Sequence, residues 1–195
     1  MFAPYGEIMR IIAGKFRSRL IHSPKGVELR PTSDSVKESL FGILGSSVID
    51  AQVLDLYSGT GNLGMEALSR GAKSCVFVDN NPRCVAAIRK NLESLGICPE
   101  QVVLKDAFKY IKEANEAGRR FDLIFLDPPY YKDMVKKSLI LLSDYNIITK
   151  LTMAVAEHHR KDELPQNGEI KSLQLFRQEQ YGGTFLSFYR QARHF

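Results

Sequence analysis

The sequence predicts an α/β fold with a mainly parallel sheet, and two patterns support that prediction. Short apolar runs alternate with helical segments from residue 53 onward, as in proteins whose parallel strands are joined by helices. The runs cover residues 53–56, 75–78, 102–104, 121–126 and 153–156, and the helical segments lie near 63–69, 82–95, 107–117 and 134–142. Near the C-terminus, residues 171–176 and 184–189 flank Tyr181-Gly182-Gly183, which predicts an antiparallel hairpin at the sheet edge.

The residues before this alternation predict a small hairpin arm. Residues 1–8 differ in character from the rest of the chain, and we expect a disordered extension that ends before Met9. Residues 11–22 indicate two short strands around Gly14-Lys15, and Thr32 or Ser33 is a suitable N-cap for a helix that runs to about Leu44. The expected organisation is an extension over 1–8, a basic β-hairpin arm over 9–32 and a main domain over 33–195.

Composition excludes several classes of protein. The chain has 195 residues, 44% of them hydrophobic and 25% charged, which is typical of one main globular domain. Its longest uncharged stretch, residues 39–49, is too short to span a bilayer, and the N-terminus lacks a secretory pattern, so we expect a cytoplasmic protein. Three cysteines without a Cys-x-x-Cys pair argue against a disulfide framework and a zinc site. Nothing demands a dimer, and we expect a monomer without metal.

Positive charge is concentrated in the arm and the residues just after it. Residues 10–37 carry seven Lys or Arg side chains and two acids, a local net charge of +5. A cluster of this kind attracts a phosphate backbone, although a solvated surface hairpin is the simpler alternative. The basic residues are Arg10, Lys15, Arg17, Arg19, Lys25, Arg30 and Lys37.

A glycine-rich turn follows the first strand of the alternating region. Residues 59–64 satisfy G-x-G-x-x-G and Asp79 ends the next strand, so this pattern alone admits a nicotinamide enzyme. Asp55 and Asp106, at the ends of the first and third strands, favour S-adenosylmethionine instead. That cofactor has no pyrophosphate, but it has a cationic amino acid end, a ribose diol and an adenine amine.

The three acids have separate expected roles. Asp55 is assigned to the turn and the amino acid end, Asp79 to the ribose hydroxyls and Asp106 to the adenine amine. A single Asp at a strand end is as readily a turn former. The joint spacing of the three acids with the glycine turn is the stronger signal.

The segment Asp127-Pro128-Pro129-Tyr130 follows the strand-like run over residues 121–126. Two consecutive prolines lack N–H groups and have fixed φ angles, so they form a rigid rim with unpaired carbonyls. An acidic acceptor at its start and an aromatic ring at its end suit a planar base with an amino group. The simpler alternative is a strand that ends in a proline turn. Together with the glycine turn, the segment indicates methyl transfer to a base nitrogen.

The chain resembles the class I S-adenosylmethionine-dependent methyltransferases of the amino-group type, and more narrowly the RsmD-like 16S rRNA guanine-N2 methyltransferases. The resemblance covers nearly everything after Ile8. Its narrow marks are Met-Arg-Ile-Ile-Ala-Gly at 9–14, Leu-Arg-Pro-Thr-Ser-Asp at 29–34 and Val-Lys-Glu-Ser-Leu-Phe at 36–41. Its broader marks are residues 54–61, 63–64, 66–71 and 127–130, the last of which DNA adenine enzymes share.

The resemblance implies a Rossmann-like fold with a seven-stranded, mainly parallel sheet and helices on both faces. It implies transfer of a methyl group from S-adenosylmethionine to the exocyclic N2 of guanine 966 of 16S rRNA, in the small ribosomal subunit or its assembly intermediate. The implied catalytic residues are Asp127, Pro128 and Tyr130, whose ring is expected to stack without an essential hydroxyl because the family has Tyr or Phe there.

The remaining candidates extend this assignment to the two binding surfaces. Leu63 is included in the cofactor set, although it is also expected in the core. The candidate cofactor-binding residues are Asp55, Tyr57, Gly59, Thr60, Gly61, Leu63, Asp79, Asn80, Asp106 and Ala107. The candidate RNA-binding residues are Arg10, Lys15, Arg17, Arg19, Arg30 and Thr32.

Three other functions remain open from the sequence. An adenine-N6 DNA methyltransferase uses the same tetrapeptide, but the sequence has no dedicated duplex-reading domain. A non-catalytic RNA-binding assembly factor accounts for the arm and leaves the tetrapeptide unused. A nicotinamide-dependent oxidoreductase leaves both unexplained. His158-His159 is a weak metal pattern, because adjacent side chains on a strand point to opposite faces.

Overall fold

The protein divides into two compact units, Met1–Asp106 and Ala107–Phe195. The computed structural model describes residues 8–27, 32–99, 101–129, 133–162, 164 and 169–192. Over these ranges, every helix is too short or too polar to cross a membrane.

The first unit combines three parallel strands with a small antiparallel pair. Its elements are β1 (Ile8–Arg10), β2 (Leu20–His22), α1 (Asp34–Leu44), a 3-10 helix (Gly45–Val48), β3 (Gln52–Leu56), α2 (Asn62–Ser69), β4 (Ser74–Asp79), α3 (Pro82–Ser94) and β5 (Val102–Leu104). The parallel strands lie in the order β5-β4-β3, and β1 pairs antiparallel with β2. The register places Asp55 opposite Phe77 and Asp79 opposite Leu104, so the acids lie near the carboxyl ends of adjacent strands.

The second unit begins with parallel pairing and ends in an antiparallel hairpin. Its elements are α4 (Ala107–Glu116), β6 (Leu123–Leu126), α5 (Met134–Asp144), β7 (Met153–His159), β8 (Glu169–Ile170), β9 (Leu173–Tyr181) and β10 (Thr184–Gln191). The order is β6-β7-β10-β9-β8, and among the described residues of this unit only β6 and β7 pair in parallel. Gly182-Gly183 joins β9 to β10, and Tyr181 pairs with Thr184.

Local sequence signals set the helix ends and the strand positions. Ser33 caps α1 by accepting a hydrogen bond from Val36 N at 3.4 Å. Asn81 caps α3 by accepting from Arg83 N at 2.9 Å, with Pro82 at the first helical position. Every residue of β6 is buried, as is every residue of β3 after Gln52, which explains why these strands are continuous apolar runs.

The strand and helix alternation predicted from the sequence is confirmed. Strands β3 to β7 and helices α2 to α5 coincide with the predicted segments to within a few residues at each end. Apart from β1, β2 and the two-residue β8, seven strands occur in the described ranges, and β9 and β10 form the predicted C-terminal hairpin. The structure therefore has the mixed, Rossmann-like character expected of it.

The arm differs from the prediction of two strands within residues 11–22. Strand β1 starts at Ile8, which was expected to belong to the extension, and it pairs with β2. The rest of that expected extension, residues 1–7, lies outside the described ranges. The predicted N-terminal hairpin is confirmed, and its second strand lies within residues 11–22. The position of its first strand was wrong, because the backbone amides of residues 12, 13, 15 and 16 donate to helix α2 instead of to a neighbouring strand.

Candidate functional site

The glycine turn between β3 and α2 is held closed by Ser58. The Ser58 hydroxyl donates to the Asp55 carbonyl at 2.5 Å and accepts from Val78 N at 2.9 Å, which ties the turn to β4. Gly61 N donates to the Ser58 carbonyl at 2.7 Å. Tyr57 has a φ of 62°, a left-handed conformation that costs a non-glycine residue energy and often occurs at functional sites. The turn is thus strained, and hydrogen bonds within the protein fix its conformation.

Gly64 permits close packing of α2 on the sheet. A Cβ at this position would lie 2.3 Å from the Phe77 ring and 2.7 Å from Cys75 Sγ. Gly64 N donates to Asp55 Oδ2 at 3.0 Å. This is the packing role expected of the third glycine in such a turn. Asp55 therefore fixes the end of the glycine turn by accepting a hydrogen bond from the start of helix α2.

The two carboxylates nearest the turn differ in exposure. Asp55 is buried, and burial, assisted by the charge of Asp79, raises the pKa of Asp55 to about 7. Asp79 is partly exposed; its Oδ2 accepts from Gly59 N and its Oδ1 from Asn81 N, both at 2.8 Å. Burial raises the pKa of Asp79 as well, while these backbone hydrogen bonds oppose the rise. Asp79 is the better placed of the two to meet a ligand hydroxyl.

Asp106 lies just beyond β5. Lys105 N donates to the Asp79 carbonyl at 2.9 Å, which keeps the chain after β5 beside the end of β4. Asp106 itself is partly exposed. The structure therefore brings Asp55, Asp79 and Asp106 to the carboxyl ends of three adjacent parallel strands, as the sequence predicts.

The other candidate cofactor residues fall into exposed and buried groups. Tyr57 and Gly59 are partly exposed and Asn80 is exposed. Thr60 is buried and its hydroxyl donates to Met9 Sδ at 3.6 Å, so the side chain faces β1. Three further candidates are buried and can offer little beyond backbone groups: Gly61, Leu63, and Ala107, which begins α4.

The arm loop, residues 11–19, is anchored on α2 by two side chains. The Glu66 carboxylate is fully buried and accepts from Ile12 N at 2.8 Å, Ala13 N at 3.1 Å and Arg70 Nε at 2.7 Å. Ser69 Oγ donates to the Ala13 carbonyl at 2.5 Å and accepts from Phe16 N at 2.9 Å. The loop is therefore held to the helix by its backbone, while the side chains of Lys15, Arg17 and Arg19 remain exposed.

Gly14 lies at the closest approach of the arm loop to α2. Its φ is 81°, and a Cβ there would lie 1.9 Å from the Ser69 carbonyl oxygen. Lys15 N donates to that same oxygen at 2.7 Å. Only glycine meets both requirements without displacing the helix.

The candidate RNA-binding side chains are mostly exposed. Lys15, Arg17 and Arg19 are exposed, and Arg19 Nη2 donates to the Ser94 carbonyl. Arg10 is exposed and pairs with Asp34 at 2.7 Å. Thr32 is buried, so its side chain is poorly placed to meet RNA. Arg30 lies outside the described ranges.

Lys37 does not belong to the basic surface that the sequence predicted. Its side chain is fully buried, and its Nζ donates to the Arg10 carbonyl at 2.6 Å and to Asn62 Oδ1 at 3.0 Å. Burial lowers the pKa of Lys37, whereas the charges of Glu66 and Asp34 act in the opposite direction. The prediction failed because the turn and the arm surround this lysine with acceptors.

The predicted catalytic segment follows β6. Asp127 is partly buried, Pro128 is buried and Pro129 is exposed, while Tyr130 lies outside the described ranges. Nearby on β7, the two histidine rings contact different partners. His158 Nε2 lies 2.8 Å from Ser187 Oγ, and Lys161 N donates to His159 Nδ1 at 3.1 Å.

Sequence reasoning missed the residues that hold the turn and the arm in place. Ser58 lay inside the quoted turn but had no assigned role. Glu66, Ser69 and Arg70 lay in a family mark, and their spacing of three and four residues indicates one helix face. The available signal was the pair Glu66 and Arg70, four residues apart on one predicted helix. Nothing in the neighbouring sequence identifies the backbone amides of the arm as further partners of Glu66.

Comparisons with known proteins agree with the fold. A family model described as conserved hypothetical protein 95 matches residues 9–190. The chain is 37% identical over 183 residues to the putative rRNA methyltransferase YlbH of Bacillus subtilis, covering 93% of this chain and 98% of that protein. It is 32% identical over 160 residues to ribosomal RNA small subunit methyltransferase D of Escherichia coli, covering 82% and 79%. The solved structure of the putative methyltransferase yhhF from Escherichia coli matches with a TM-score of 0.83 and 30% identity, covering 95% of this chain and 98% of that one.

Proposed function

This chain belongs to the family described as conserved hypothetical protein 95, the RsmD-type ribosomal RNA methyltransferases, and we propose that it methylates the exocyclic N2 of guanine 966 in 16S rRNA. S-adenosylmethionine is the methyl donor of this family. The proposed substrate is the small ribosomal subunit or an intermediate in its assembly. The base and its number come from the resemblance of residues 9–14, 29–34 and 36–41 to the family.

Cofactor binding is supported by the carboxyl ends of β3, β4 and β5. Asp79 is partly exposed, and its carboxylate accepts backbone hydrogen bonds from Gly59, Asn80 and Asn81. A carboxylate has about four acceptor sites, so capacity is left for a ribose hydroxyl. Asp106 suits the adenine amine. Asp55 is buried against Gly64 and acts by fixing the start of α2. When bound, S-adenosylmethionine supplies an electrophilic methyl group on its sulfonium.

The base amine needs help because its lone pair is delocalised into the ring. In this proposal Asp127 and the Pro128 carbonyl accept the two amine hydrogens and direct the lone pair outward, and Asp127 or solvent takes the proton as the product forms. Alignment of the reactants can contribute about 7–11 kcal/mol, more than a single acid or base usually supplies. Tyr130 is assigned the stacking contact with the base.

The arm loop supports RNA as the acceptor. Lys15, Arg17 and Arg19 are exposed on a backbone that Glu66 and Ser69 hold to α2. Cations on a fixed loop bind phosphates with less loss of conformational entropy than cations on a mobile one. Such contacts position an RNA without reading its sequence, so recognition of one guanine requires the folded ribosomal context.

One observation carries the proposal: three carboxylates lie at the ends of three adjacent parallel strands beside a strained glycine turn, in a chain of this family. The test is transfer of labelled methyl from S-adenosylmethionine to unmodified small subunits, naked 16S rRNA and duplex DNA, followed by nucleoside analysis. We expect N2-methylguanosine in ribosomal RNA.

Asp127→Ala should lower turnover by about 10²- to 10⁴-fold, the usual contribution of a positioned acid or base, with affinity for S-adenosylhomocysteine retained. Asp144→Asn is the matched control, because Asp144 is an exposed partner of Lys171 in the same unit and should remain active. Methyladenine in DNA would replace this proposal with an adenine methyltransferase. Cofactor binding without transfer to any acceptor would favour a non-catalytic assembly role.

A further inference from the structure

Phe16 is the only aromatic residue of the arm loop, and it lies in the sequence between two of the loop's cations, Lys15 and Arg17. It is partly exposed, and Lys15 Nζ lies 5.2 Å from the centroid of its ring. Lys15 itself is exposed. Because an ammonium group of the surface reaches a face of the ring, that face is open to groups outside the protein and not packed into the core.

Hydrogen bonds fix the backbone of Phe16 on both sides. Its N–H donates to Ser69 Oγ at 2.9 Å, and its carbonyl accepts from Arg19 N at 3.0 Å. Arg17 N donates to the Gly14 carbonyl at 3.2 Å, which places Phe16 at one of the two central positions of a turn. The ring is therefore presented by a rigid backbone, and a ligand that stacks on it incurs little further loss of conformational entropy in the loop.

We infer that the arm loop binds an unpaired RNA nucleotide, whose base stacks on the Phe16 ring while Lys15 and Arg17 contact the adjoining phosphates. The inference rests on the proposed function, in which the cations of the arm bind RNA. The base takes the place of the Lys15 ammonium over the ring, and the ammonium moves to a phosphate. Cations alone attract paired and unpaired RNA alike, whereas an aromatic ring favours a single strand, because the bases of a duplex are already stacked on one another.

Binding of two RNA probes tests the stacking contact. One probe is a single strand of about 12 nucleotides and mixed sequence, and the other is the same strand in a duplex. Phe16→Leu keeps an apolar side chain but removes the ring. We expect its affinity for the single strand to fall by about 5- to 150-fold, the range for loss of one stacked base, and its affinity for the duplex to stay within about twofold. Phe16→Tyr should restore wild-type binding. Because stacking neutralises no phosphate, the salt dependence of binding should not change in Phe16→Leu.

Fluorescence gives a direct measurement at position 16, because the chain contains no tryptophan. The emission of Phe16→Trp should be quenched by the single strand, since the base contacts the indole, and should change little with the duplex. Phe176→Trp is the matched control. Phe176 is 37% exposed, and Arg190 Cζ lies 5.0 Å from the centroid of its ring, so it too is an accessible ring beneath a cation. It lies on β9, outside the arm, and its emission should change with neither probe.

Three results would overturn the inference. Wild-type affinity of Phe16→Leu for the single strand would remove the stacking contact, and equal losses for both probes would mean that the ring only supports the arm. Equal quenching in the two tryptophan variants would mean that RNA covers the surface without a defined site. If Phe16→Leu fails to fold, the tryptophan variants, checked by circular dichroism, decide the question.

Methyl transfer is measured separately from these binding experiments. A wild-type protein that methylates ribosomal RNA while Phe16→Leu binds the single strand normally refutes this inference alone. A wild-type protein that transfers methyl to no acceptor refutes the proposed function, even where the single strand quenches Phe16→Trp.

Discussion

A buried carboxylate contacts each of two regions: Glu66 of α2 anchors the arm loop, and Asp55, together with Ser58, fixes the glycine turn. The two carboxylates are neutralised in different ways. Glu66 receives two backbone amides of the arm and the Arg70 guanidinium. Asp55 receives Gly64 N, lies near the like charge of Asp79, and has a pKa of about 7. The arm is therefore anchored by a saturated charge, whereas the turn contains an acid that titrates near neutrality. We expect that a substitution which disturbs one of these regions leaves the other intact.

The largest effect should come from Glu66→Ala. The change leaves two part-buried amides and the partly exposed Arg70 guanidinium without their acceptor, and the cost to the free energy of unfolding should reach at most the ~3–5 kcal/mol of a fully buried pair. Urea unfolding measures the loss. Glu93→Ala, at an exposed position of α3, is the control and should stay within about 0.5 kcal/mol of wild type.

Ligand binding sharpens the comparison for the same variant. At a temperature where Glu66→Ala is folded, it should bind 16S rRNA more weakly and S-adenosylhomocysteine as wild type does. Equal losses for both ligands would show that the arm and the turn form one cooperative unit.

Gly14→Ala should loosen the same contact between the arm loop and α2, this time through a change in the arm. A left-handed φ costs alanine about 1–2 kcal/mol, and overpacking against the Ser69 carbonyl costs about 1–3 kcal/mol more. Gly96→Ala isolates the first cost, because Gly96 has a φ of 72° and nothing lies within 4 Å of its added Cβ. If the two variants unfold at the same urea concentration, the close contact between the arm and α2 is not the reason why position 14 requires glycine.

Asp55→Asn should change how stability depends on pH. Burial raises the pKa of folded Asp55 from 3.8 to about 7, so the folded state keeps a proton that the unfolded state releases. The stabilisation is fully present below the unfolded pKa and is lost as pH rises toward 7, by at most about 4 kcal/mol for some three pKa units. Asp79, whose pKa burial also raises, contributes in the same direction and is present in both proteins.

Urea unfolding at pH 5 and pH 7.5 tests this dependence. The stability of Asp55→Asn relative to wild type should increase between the two pH values. A constant difference would mean that Asp55 is ionised throughout and that its neutralisation does not differ from that of Glu66.

The same contrast explains what the sequence could predict. The turn and its three acids were found because β3, β4 and β5 are buried parallel strands, whose apolar runs end in local, contiguous signals. The first strand of the arm was placed wrongly because the backbone partners of residues 12–16, Glu66 and Ser69, are more than 50 residues away in the chain. The burial of Lys37 has the same origin: each acceptor around it looks ordinary in its own segment, and only folding brings them together.

The smallest effect on stability should come from the exposed cations of the arm loop. Arg17→Ala should leave the free energy of unfolding within about 0.5 kcal/mol, since Arg17 is exposed. It should lower the slope of log affinity for 16S rRNA against log salt concentration by about 0.7–0.9, the value for one phosphate contact. Lys73→Ala removes an equally exposed charge outside the arm and should leave the slope unchanged. If Lys73→Ala lowers the slope as much as Arg17→Ala, the whole surface attracts RNA through its net charge, and the anchoring of the arm on Glu66 serves stability alone.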